Sequence, residues 1–114
     1  MKLQKILILS ICFEMFSAGA QTIVIPSRPD AAERKAAEEL AEHFSEMTSS
    51  AIPLKKEGES FEPPAIYVGD TEFARKHGIA FSRFGKEQWL IRSAGRDLIV
   101  GGGKPRGTLY GVFE

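Results

Sequence analysis

A β-branched strand followed at once by a long amphipathic helix constrains this chain more than any other feature. Thr22-Ile23-Val24-Ile25 has strand character and is bounded by Pro26. Ser27-Arg28-Pro29 turns the chain, and Asp30 stands where a helix N-cap belongs, with Glu33 placed to complete a capping box. From Ala31 to about Met47 the periodicity predicts a helix. Ala36, Ala37, Leu40, Ala41, Phe44 and Met47 fall on one apolar stripe, and Glu38, Glu39, Glu42, His43 and Glu46 on the opposite face. The small alanines suit close packing on a sheet. Thr48-Ser49-Ser50 ends the helix, which acts as a crossover between strands.

Further strands follow from local pattern. Ile52 and Leu54 alternate around Pro53, which points to a short edge strand, and residues 55–64 read as a polar loop. Ala65-Ile66-Tyr67-Val68 is apolar throughout, as in a strand covered on both faces. A short helix is expected from Thr71 to His77, closed by Gly78. Trp89-Leu90-Ile91 and Leu98-Ile99-Val100 flank the turn-like Ala94-Gly95-Arg96-Asp97 and predict an antiparallel hairpin. Gly101-Gly102-Gly103-Lys104-Pro105 reads as a chain break, after which Thr108–Glu114 begins a helix. That helix stops after about two turns, too short to stand alone, so the chain is expected to be cut inside an element. These elements predict an α/β (α+β) domain: a mixed β-sheet with amphipathic helices packed on it.

The first twenty residues carry a different signal. Lys2 and Lys5 precede the apolar run Ile6–Phe13, and Ala18-Gly19-Ala20 supplies small residues before Gln21. That order predicts a signal peptide over residues 1–20, cut after Ala20, and hence a secreted or periplasmic protein. The run is too short to span a membrane. Ile11 before Cys12 does not suit lipoprotein processing. Cleavage would remove the only Cys, so no intrachain disulfide is available. Removing Lys2, Lys5 and Glu14 from 15 basic and 15 acidic residues leaves a net charge near −1, which argues against a nucleic-acid partner. With 43% hydrophobic and 26% charged residues, the chain has the balance of a folded domain rather than a disordered one.

Candidate chemistry is sparse. The glycines before Lys104 invite a phosphate loop. Counted from Gly102, however, Thr108 stands where the motif requires Lys, and Arg106 occupies the third Gly position of the dinucleotide motif. The glycines then serve a tight turn and close packing. Glu38 and Glu42 share a helix face at a spacing open to paired carboxylates, which is also the ordinary pattern of a solvated face. Glu39 and His43 could form two ligands of a metal site that needs three or four. His77, beside Lys76, complements a helix C-terminus. No Gly-x-Ser-x-Gly motif or mature Cys supports nucleophilic catalysis. Trp89, Tyr67, Phe81 and Phe84 could stack on sugars, although Trp89 suits a core or interface position better. No catalytic, cofactor-binding or metal-binding residue is assigned.

Several stretches together carry a family resemblance: Ile23–Pro26, Ala36–Leu40, Ile66–Gly69 and Trp89–Arg92. Most specific is Gly101-Gly102 followed by Pro105–Glu114. From residue 22 onward the chain resembles the N-terminal domain of bacterial α-glucuronidases, glycoside hydrolase family 67, and is similar to the corresponding domain of β-N-acetylhexosaminidases. The resemblance implies a β-N-acetylhexosaminidase-like domain over residues 21–114. Its partner would be a downstream (β/α)₈ barrel that holds the catalytic carboxylates and the carbohydrate substrate. It also implies an interface with that barrel built from Arg106, Leu109, Tyr110, Val112 and Phe113, with Gly107 and Gly111 opening one helix face. The alternative is an independent secreted carbohydrate-binding or adhesion module. No cofactor is implied.

Overall fold

The computed structural model describes residues 19–85 and 88–103. Five strands form one sheet: β1 (Thr22–Ile25), β2 (Leu54–Lys56), β3 (Ala65–Val68), β4 (Trp89–Ala94) and β5 (Asp97–Gly102). Their order is β2-β1-β3-β5-β4, parallel from β2 to β5, with β4 antiparallel at the edge. This is the expected mixed sheet with helices packed on it. The hairpin is present and longer than the apolar residues alone indicated.

The long helix α1 (Ala31–Thr48) starts as its sequence dictates. Asp30 Oδ1 accepts from Glu33 N at 2.7 Å, and Glu33 Oε1 accepts from Asp30 N at 3.0 Å, so both halves of the capping box form. Ser49 closes the helix in the left-handed region. Ala36, Ala37, Leu40 and Phe44 bury against Ile23 and Ile25 of β1, Ile66 and Val68 of β3, and Leu98 and Val100 of β5. The alanines allow this close approach. Met47 was expected on the same stripe but is 41% exposed. The helical period runs on past Phe44, the last stripe residue that buries in this cluster.

Alternate residues of the same strands point to the other face. Val24, Ala65 and Tyr67 form one cluster there with Phe61 and Phe73. Ile99 forms another with Ala74, Ile79 and Phe81. The short helix α2 (Glu72–Lys76) contributes Phe73 and Ala74. It is capped by Thr71, whose Oγ1 accepts from Ala74 N at 3.1 Å. With both faces covered, β3 is buried along its whole length, as its unbroken apolar run required.

Two further boundaries differ from expectation. Lys55 and Lys56, assigned to a loop, belong to β2, because the edge strand begins at Leu54, while Ile52 is buried in the α1 cluster. Gly101 and Gly102, read as a break, continue β5. Phe81 explains Gly101: its ring occupies the space a side chain would need, and a Cβ there would lie 2.6 Å from Phe81 Cζ. Glycine in this strand makes room for an aromatic ring.

Candidate functional site

The strands position one crevice by topology. After β1 the chain crosses to the face covered by α1. After β3 it crosses to the face covered by α2. In open α/β sheets such a divergence leaves a cleft at the carboxyl ends of the strands, and ligands favour it. Here Glu33 fills it. The residue is 2% exposed. Oε1 takes the Asp30 N–H, and Oε2 takes the Asp70 N–H at 2.7 Å, just past the end of β3. Gly69 makes this possible. It sits at φ +97°, and any Cβ there would run into the Glu33 carboxylate. Asp70 Oδ1 is buried 3.5 Å from Arg75 Nε, at ion-pair distance but without a hydrogen bond. The crevice is thus closed by the chain's own carboxylate, which ties the start of α1 to the β3–α2 turn.

A second arrangement lies on the sheet face opposite α1. Tyr67 and Phe73 stack with centroids 3.9 Å apart and rings 5° from parallel. Phe61 meets Tyr67 edge-on at 6.2 Å, and His77 tilts against Phe73 at 4.3 Å. Glu57 is held in place by two donors at the start of α2, Glu72 N at 2.9 Å and Phe73 N at 3.2 Å. Thr22 Oγ1 donates to Glu62 O at 2.8 Å and pins the 57–62 segment to β1.

This environment acts on Tyr67. Burial, then the charges of Asp97 and Glu57, raise its phenol pKa above the ordinary 10.0. The folded chain therefore holds the Tyr67 proton more tightly than the unfolded chain. Its contribution to stability is full below pH 10 and is lost as pH rises through the folded-state value. Ultraviolet titration of phenolate absorbance should show a component above pH 10 that Tyr67→Phe removes. Titration of that component at the ordinary value would contradict the assignment.

Most sequence candidates do not converge. Glu38 and Glu42 lie exposed on the outer side of α1. Glu39 pairs with Lys35 at 3.5 Å, and His43 lies 3.9 Å from Glu46. Among the described residues, no group of three His, Cys, Asp or Glu could hold a metal ion. His77 Nδ1 lies 2.8 Å from Phe73 O at the end of α2. The proposed sugar-stacking aromatics are dispersed: Phe81 is buried under Gly101, Phe84 packs on Phe81 at 5.0 Å, and Trp89 stands 37% exposed on the β4 edge. Tyr67 stacks on Phe73, apart from the Phe81–Phe84 pair on the same sheet face. Its companions Phe61 and Phe73, and the fixed Glu57, carry no local sequence signal. Arg106, Leu109, Tyr110, Val112 and Phe113 lie outside the described residues. Among the described residues, no helix is long and apolar enough to cross a membrane.

A mixed five-stranded sheet with helices packed on both faces defines an α+β domain. The model of the family described as glycosyl hydrolase family 67 N-terminus matches residues 14–114, and the chain belongs to that family, the N-terminal domain of α-glucuronidases. No curated protein matches the chain.

Proposed function

We propose that this chain is the non-catalytic N-terminal domain of an exported glycoside hydrolase of the α-glucuronidase type, with the reacting carboxylates on a barrel outside it. The family match, spanning nearly the whole chain, carries this reading. The closed crevice supports it, since the usual cleft of such a sheet is occupied by Glu33. In the full protein, Arg106, Leu109, Tyr110, Val112 and Phe113 contact the barrel. Residues 1–20 direct export and are cut after Ala20. The isolated chain, incubated with glucuronic-acid-bearing xylo-oligosaccharides, releases no sugar. Release that copurifies with the chain and survives removal of contaminating activity would overturn the assignment. Mass spectrometry of material exported by a bacterial host should show a first residue of Gln21. An intact Met1 would overturn the export assignment alone.

A further inference from the structure

Phe61 stands between two concavities on the sheet face opposite α1. One, about 470 Å³, is lined by Gln21, Thr22, Pro53, Lys55, Phe61 and Glu62. The other, about 200 Å³, is lined by Glu57, Phe61, Tyr67, Glu72, Phe73 and Lys76. We propose that these two concavities together bind a neutral oligosaccharide that straddles Phe61. The larger has the size of an ordinary small-molecule site.

Three observations point to this ligand class. The half-buried Phe61 ring lines both concavities and Phe73 borders the smaller one, and ring faces suit the apolar faces of pyranose rings. Each concavity also offers donors and acceptors together, which hydroxyl groups require: Gln21, Lys55 and Glu62 in one, Lys76 and the fixed Glu57 in the other. Lys55 lines the larger concavity and Lys76 the smaller, and among the described residues neither lies in an ion pair. The charge balance then selects the neutral polymer. Glu57, Glu62 and Glu72 outnumber the two lysines, and the Gln21 amine that cleavage would free only balances the charges, so no net positive field draws an acidic one. The backbone of the site is also preformed: Thr22 holds the Glu62 carbonyl, and the α2 amides hold the Glu57 carboxylate, so little backbone ordering is needed on binding. The choice of a saccharide over another amphipathic ligand rests on the family assignment. The cavities do not, and a domain that hydrolyses nothing can still hold the polymer near a neighbouring catalytic domain.

Titration of the full chain with xylohexaose, followed by calorimetry and by chemical shifts, tests the proposal. Saturable binding is expected, with shifts at Phe61 and Lys76. Phe61→Ala weakens it about tenfold through loss of the stacking surface. Because Phe61 also packs on Tyr67, the exposed side chain of Glu62 and the half-buried Lys55 provide a second test. Glu62→Ser and Lys55→Ser each lower affinity several-fold and leave the unfolding midpoint unchanged. Trp89→Ala, at the far edge of the sheet, leaves binding unchanged. The proposal fails if xylohexaose does not saturate, if binding is lost on Trp89→Ala and not on Phe61→Ala, or if a glucuronic-acid-bearing oligomer binds more tightly. None of these failures touches the family match.

Discussion

Glu33→Ala lowers the stability of the folded chain by about 3 kcal/mol. Two N–H groups lose their acceptor, Asp30 at the start of α1 and Asp70 after β3. An unsatisfied buried donor costs about 1–3 kcal/mol, and loss of a helix cap interaction about 1 kcal/mol. Domains of this kind have only about 5–15 kcal/mol in hand, so the change is a large fraction of the total. It corresponds to a drop in Tm on the order of 15 °C for a chain of this size. Glu33→Gln retains length and one acceptor oxygen, and is expected to lose about half as much. Urea unfolding followed by circular dichroism measures both. A loss under about 1 kcal/mol for the alanine variant would show that water takes over the carboxylate's role.

Gly69→Ala is expected to cost a similar amount, about 3 kcal/mol, from two sources. Its φ of +97° is a conformation that side-chain-bearing residues rarely adopt, and the new methyl would press on the Glu33 carboxylate. The second source depends on Glu33, and this makes the pair informative. In a Glu33→Ala background the clash disappears and only the backbone strain remains. The double variant should therefore be less destabilised than the sum of the singles, by about 1 kcal/mol. Strict additivity in a double-mutant cycle would show that Gly69 and Glu33 do not share the contact described.

The capping box illustrates what the sequence reveals. Asp30 and Glu33 are three residues apart, and their mutual bonds are fixed by helix geometry, so their pattern is visible without any tertiary knowledge. The bond from Asp70 N to Glu33 Oε2 is not visible in this way, because the strand order that joins those residues is set by packing. Thr71 and Gly78 marked the ends of α2 for the same local reason as Asp30. Gly101 and Gly102 misled because glycine usually punctuates a chain, whereas at Gly101 the ring of Phe81, distant in sequence, demands the space. Phe61 and Glu57 were absorbed into a polar loop, since only the folded sheet brings them to Tyr67 and α2. The fold class and most elements were thus legible, the closed crevice only half so, and the paired concavities not at all.

The parallel ladders also bear on how fast the chain reaches its native state. Val24 pairs with Tyr67, and Tyr67 in turn with Ile99, so the central strands are joined by partners far apart along the backbone. Each such pairing closes a long loop before any contact rewards it, and folding slows as the separation of partners grows. Translation releases β1 first and β5 last, which leaves an interval during synthesis when the nascent polypeptide is open, extended and unable to complete its sheet.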